Sequence, residues 1–168
     1  FITKQVTETC TAELNLLEVP PALAPETFPT MTLREAQELI KKETGVDKTS
    51  EPDLEPEDER FLCEYANKHL GSDFVFVTHF PTSKRPFYTH VEPEQPEFTR
   101  SFDMLFRGLE MLSGAQRVHD YETLKKQIAG KGLDPDKFEF YLQAFKYGVP
   151  PHGGVGIGLE RLTMKFAD

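Results

Sequence analysis

Pro150-Pro151-His152-Gly153-Gly154-Val155-Gly156-Ile157-Gly158-Leu159-Glu160-Arg161-Leu162 is the stretch whose reading decides the fold. Two prolines end whatever precedes it, and the alternation that follows has the period of a β-strand, in which successive side chains face opposite sides. On that pattern Val155 and Ile157 fill the core, while Gly154, Gly156 and Gly158 leave the other face bare. Glycine weakens a strand, so three on one face point to something flat that approaches the backbone closely. A helix is expected from Leu159, with Arg161 in its first turn beside the bare face. A guanidinium there is suited to stacking on an aromatic base and to contacting a phosphate. The same spacing would equally serve a glycine-rich turn packed against another segment of protein. Two nucleotide motifs are excluded. There is no Gly-Lys-Ser/Thr of a P-loop, and the glycine spacing does not fit the dinucleotide fingerprint.

Upstream, Thr99 to Phe106 and Leu109 to Val118 read as two strands joined by a turn at Arg107-Gly108, carrying Asp103, Glu110, Ser113, Gly114 and Arg117. Ser113 and Arg117 share a strand face, whereas Glu110 and Ser113 face opposite ways unless a bulge near Ser113-Gly114 brings them together, a place where glycine is suited. With Glu110 on the inner face, an oxygen ligand for Mg²⁺ and an arginine for a carboxylate would share one site. The competing reading is a surface strand carrying an ordinary Glu–Arg pair of little energetic weight.

Further outward the pattern is helical. Val6, Cys10, Leu14 and Leu17 predict an amphipathic helix over 4–18, ended by Pro20-Pro21. Thr32-Leu33-Arg34-Glu35 reads as a capping box opening a helix to Glu43, and a third helix is expected from Pro56 to Leu70. Phe74 to His79 and Phe87 to Val91 read as strands. Asp120 caps a helix to Ala129, and Asp134-Pro135 opens another to Tyr147. Helices, then strands with short connections, then helices again predict an α+β chain with a mixed, mainly antiparallel sheet flanked by helices, not repeating βαβ units.

Composition bounds the rest. The chain has 168 residues, enough for a real core. A net charge of −9 argues against a strong non-specific grip on nucleic acid. Cys10 and Cys63 are too few for a disulfide framework, so a cytoplasmic setting is the default expectation, and no apolar run is long enough to cross a membrane. The acidic run 51–59 reads as a solvated face. The chain opens at Phe1 without an initiator Met and stops a few residues into an expected helix, which reads as a piece of a longer protein.

Gly153 to Leu162 resembles the third signature motif of class II aminoacyl-tRNA synthetases, and Tyr147 to His152 before it is similar to the aspartyl branch. Ser113-Gly114-Ala115-Gln116-Arg117-Val118-His119-Asp120 resembles the aspartyl enzymes of archaeal and eukaryotic type, where asparaginyl and lysyl relatives differ. The resemblance is strongest over 74–166 and divides the chain into a helix following the second motif (1–19), a helical insert (20–72) and a sheet core with the third motif (73–168). It implies an aspartate–tRNA ligase that activates aspartate with ATP to aspartyl-adenylate and transfers it to tRNA. By the same resemblance Arg117 and Ser113 bind aspartate, while Glu110, Gly158, Leu159, Glu160 and Arg161 bind ATP. Glu110 and Ser113 would hold Mg²⁺. The implied partners are aspartate, ATP, tRNA(Asp) and, the sequence leaving this open, tRNA(Asn), with a homodimer expected for the parent protein. Asp103, His119 and His152 draw attention as neighbours of these motifs, and packing serves them as well.

The 168 residues contain nothing similar to the family's first motif, nor the arginine and aromatic residue of its second. The resemblance therefore implies a chain that is inactive alone. Two other readings keep the same residues: a paralogue that makes asparagine through the same adenylate, and a non-catalytic module with the synthetase fold.

Overall fold

A computed structural model describes all residues from Phe1 to Asp168. At the first interior helix the local chemistry appears as read. Thr32 caps α3 (Leu33–Thr44): its hydroxyl accepts from Glu35 N–H at 3.2 Å while Glu35 Oε2 accepts from Thr32 N–H at 2.7 Å. Leu33, Ala36, Gln37 and Ile40 form the buried stripe, and Gly45, at φ 78°, ends the helix in a left-handed conformation that costs glycine little.

The helix expected over 4–18 is instead two short ones, α1 (Ile2–Thr9) and α2 (Thr11–Leu16), broken at Cys10. The Thr9 and Thr11 hydroxyls donate back to the carbonyls of Gln5 and Thr7, a competition with the helical ladder that bends helices. The helix expected to Leu70 changes period midway. α4 (Pro56–Tyr65) passes into a π-helical turn, Ala66–Leu70.

The acidic run before α4 is less idle than its composition suggests. Lys48 Nζ lies 2.8 Å from Glu55 and 3.1 Å from Asp58, closing the loop onto the helix start. Those carboxylates, Glu55 and Glu57 foremost, hold the ammonium well above the ordinary lysine range.

Five strands form one sheet in the order β1-β2-β3-β4-β5: Thr30–Thr32, Phe74–Thr78, Ser101–Phe106, Leu109–Arg117 and His152–Ile157. β1 is parallel to β2, with Thr30 opposite Phe76 and Thr32 opposite Thr78. Three residues are too short to show a period, so the sequence carries no sign of β1. Arg107 and Gly108, at φ 47° and 81°, make the type I′ turn that matches strand twist. That turn pairs Phe106 with Leu109, and farther along Gln116 N–H donates to Arg100 O at 3.0 Å. From Phe106 to Arg100 is six steps; from Leu109 to Gln116 is seven. The one-residue surplus in β4 is that of a β-bulge. The segment 87–91 is not a strand; it makes only single bridges, Thr89 to Arg117 and Val91 to Thr99. Thr89 N–H is taken by Pro86 O at 3.0 Å in a turn, which removes it from any ladder.

The chain divides into two units. One comprises 1–78, 103–113 and 156–168. Its core stacks Phe74 on Phe106 with centroids 4.3 Å apart, meets Phe28 edge-on, and closes with Phe166 of α7 (Leu159–Phe166). Below it Asp73 accepts from Leu23 N–H at 3.0 Å, Asn67 Nδ2 at 2.6 Å and Arg107 Nε at 3.3 Å.

The other unit comprises 79–102 and 114–155. It packs Leu124 and Ile128 of α5 (Tyr121–Gly130) on Leu142 and Phe145 of α6 (Glu139–Lys146), with Val118, Phe87, Tyr88 and Tyr141 around them. A 3₁₀ turn, Pro135–Phe138, precedes α6 where one continuous helix was expected.

Val155 and Ile157 do not fill a core: they are 53% and 52% exposed. β5 is the last strand of the sheet, and no layer of this chain covers those side chains. No helix is long and apolar enough to cross a membrane.

Candidate functional site

The glycines of β5 set the geometry. Within the first unit, Gly158 N–H donates to Met111 O at 3.0 Å, tying the end of β5 to β4. A Cβ at Gly158 would stand 3.3–3.4 Å from the aliphatic carbons of Arg161, so that side chain lies directly over the glycine. From there Arg161 Nη1 donates to the Glu110 carbonyl oxygen at 2.8 Å. Gly156, between the two ends of the strand, has nothing within 4 Å of its Cβ position. Leu159 and Glu160 open α7 and are both exposed. Glu110, Gly158 and Arg161 are thus brought together, and Ser113 is the last residue of β4 in this unit.

Beside Glu110 stands a residue that strand periodicity does not reveal. Glu59, on α4, accepts the Glu110 N–H at 2.8 Å through Oε2. Burial pushes its carboxyl above the ordinary glutamate range; the charges of Glu110 and Asp103 add to this, while the Glu110 N–H and Arg161 oppose it. Three carboxylates, Glu59, Asp103 and Glu110, therefore interact electrostatically beside one arginine. The only sequence signal for Glu59 was membership of an acidic helix start.

Arg117 belongs to the second unit, as do Tyr88, Tyr141 and Gly154 around it. A Cβ at Gly154 would stand 2.9–3.0 Å from Nη2, Cζ and Nε of Arg117, so any side chain there would make the guanidinium shift. The guanidinium therefore rests against bare backbone. It also sits over the Tyr88 ring, 5.0 Å from the centroid, within cation–π range. Tyr141 is close enough for the Arg117 charge to oppose the upward shift that burial gives its phenol. Tyr88 and Tyr141 come from segments read as strand and helix, with no spacing that linked them to Arg117. His152 packs near Phe145, centroids 6.2 Å apart, and its Nδ1 meets Pro150 O at 3.0 Å.

The flat partner expected on the glycine face is thus, at Gly154 and Gly158, an arginine of the chain itself. A hollow of about 610 Å³ in the second unit is lined by Gly153, Gly154 and Gln116 among others. The larger hollow, about 770 Å³, is in the first unit at Pro20, Leu23, Cys63, Asp73 and Arg107, and none of the residues singled out for chemistry lines it. Burial pushes the Cys63 thiol there up to about 11, which makes it unreactive at neutral pH.

Comparison with known proteins places the chain in a family. The family model described as tRNA synthetases class II (D, K and N) matches residues 1–168. An aspartate–tRNA(Asp/Asn) ligase of Thermus thermophilus is 50% identical over 154 residues, covering 92% of this chain and 36% of the relative. An aspartate–tRNA(Asp) ligase of Pyrococcus furiosus is 42% identical over 154 residues, covering 92% and 35%. The solved aspartyl tRNA synthetase of Entamoeba histolytica superposes with a TM-score of 0.91 at 35% identity, covering 99% of this chain and 35% of that one. The chain spans little more than a third of the length of these relatives. With a family model running its whole length and a glycine strand overlain by arginines, the chain belongs to the class II tRNA synthetases (D, K and N).

Proposed function

We propose that this chain is the aspartate-reading and ATP-reading part of an aspartate–tRNA ligase. The α-carboxylate of aspartate attacks the α-phosphate of ATP, giving aspartyl-adenylate and pyrophosphate; the aspartyl group then passes to a hydroxyl of the 3′-terminal ribose of tRNA, and AMP leaves. The observation that carries this reading is an arginine laid against a glycine in each unit, Arg117 at Gly154 and Arg161 at Gly158. A guanidinium fixed against bare backbone keeps its planar fork of N–H donors in one orientation, which bidentate capture of a carboxylate requires. Arg117 is assigned the side-chain carboxylate of aspartate, and Ser113 is assigned to the same substrate. Asparagine brings no charge to that arginine, so the site discriminates by leaving it under-compensated. Support for aspartate over its relatives comes from the 42–50% identity to ligases named for that amino acid.

Arg161 is assigned the adenine face and the phosphates, with Gly158, Leu159 and Glu160 forming the floor. Mg²⁺ takes oxygen donors and is commonly held by one or two carboxylates together with substrate phosphates. Glu110 and Ser113 offer such oxygens, and Glu59 and Asp103 add negative charge beside Glu110, so the donor set fits that ion. Bound there, Mg²⁺ would supply neutralisation of phosphate charge. No covalent protein nucleophile is needed; alignment and charge complementarity supply the rate. A cytoplasmic setting fits two cysteines that are both free.

The test uses the full-length protein that contains this chain, in aspartate-dependent exchange between ATP and pyrophosphate. Arg117→Ala is expected to lower kcat/KM for aspartate by a hundredfold or more, roughly what removal of a buried charged partner costs. Exchange that is unaffected by Arg117→Ala, or that answers equally to asparagine in the wild type, would overturn the reading.

A further inference from the structure

The guanidinium of Arg117 has two flat neighbours, and one of them is a side chain with no assigned role. We infer that Tyr88 is a positioning residue for amino-acid selection, acting through Arg117; the inference rests on the assignment of Arg117 to the substrate carboxylate. A long arginine side chain has many rotamers, and a carboxylate is held by two parallel N–H···O bonds only when the guanidinium plane is set beforehand. Gly154 sets it from the backbone: any Cβ there would lie within 3.0 Å of Nη2, Cζ and Nε. Tyr88 sets it with the face of its ring, 5.0 Å from Arg117 Cζ.

Tyr88 is itself held on several sides. Its carbonyl accepts Val118 N–H at 2.8 Å, one residue beyond Arg117, so ring and guanidinium are carried by directly bonded backbone. Its ring meets Phe87 edge-on at 5.6 Å and packs on the cluster of Leu124, Ile128 and Leu142. The next residue, Thr89, pairs with Arg117 through a single antiparallel bridge, and Gln127 Nε2 donates to Thr89 O at 3.1 Å. The turn 86–89 is therefore tied by backbone bonds to the strand that carries the arginine. Aromatic faces attract the guanidinium while leaving its N–H edge for a ligand.

The experiment measures KM for aspartate and for ATP separately, in the same exchange reaction of the full-length protein. Tyr88→Leu is expected to raise KM for aspartate about three- to tenfold, the size of a lost cation–π contact, and to leave KM for ATP unchanged. Tyr88→Phe keeps the ring face and is expected to restore the wild-type value. Gly154→Ala pushes a methyl group into the guanidinium and is expected to show the same aspartate-only effect; if Tyr88→Leu does not fold, Tyr88→Met takes its place as the variant without a ring. An equal rise in both KM values, a fall in kcat alone, or Tyr88→Phe as impaired as Tyr88→Leu would overturn the inference. Arg117→Lys separates the two levels. If it leaves KM for aspartate unchanged, the assignment of Arg117 fails; if it raises that KM while Tyr88→Leu and Gly154→Ala do not, only the positioning role fails.

Discussion

Asp73 shows how much one side chain can hold. It is 6% exposed and accepts from Leu23, Asn67 and Arg107, while Arg107 also donates to Pro20 O at 2.7 Å and Lys165 O at 3.1 Å. One carboxylate thus ties the Pro-rich linker, the π-helical turn, the β3–β4 hairpin and, through Arg107, the end of α7. Asp73→Ala leaves a cation and two amide donors without their acceptor, so the expected loss is about 3–5 kcal/mol, read by urea unfolding. A loss below about 1 kcal/mol would show that water replaces the carboxylate. None of this is visible in the sequence, because the partners lie up to 50 positions away. The arginines are a different case. The place of Arg161 beside the glycines was legible, but that Arg117 covers Gly154 depends on strand register and rotamer.

At the level of elements, local chemistry was the most legible. The capping box at Thr32 and Glu35, the cap at Asp120, the turn at Arg107-Gly108 and the stop at Gly45 all involve residues within four positions of each other. Thr32→Ala is expected to cost about 1 kcal/mol in thermal unfolding and to speed amide exchange in the first turn of α3. An unchanged melting temperature would mean that packing of Leu33 and Ala36 alone fixes the helix start. Illegible elements share another cause. β1 exists because it pairs with β2, 46 residues on, and 87–91 is not a strand because its Thr89 N–H is spent in a turn. Composition alone favours a strand in the second case and nothing in the first.

For the whole molecule, each of the two units has its own apolar core. Leu124→Ala in the second core removes a fully buried side chain and should cost about 2–5 kcal/mol. Hydrogen exchange should then accelerate across 121–146 before it does in 33–44; simultaneous acceleration would show a single cooperative unit. The sequence by itself determined the α+β class, the helix caps, the hairpin and the family, because each rests on short-range pattern or on a contiguous motif. Only the tertiary structure decided that Val155 and Ile157 are exposed, that Glu59 stands at Glu110, and that Tyr88 faces Arg117. Burial and through-space contact depend on what lies across the sheet, and chain order carries no record of that distance.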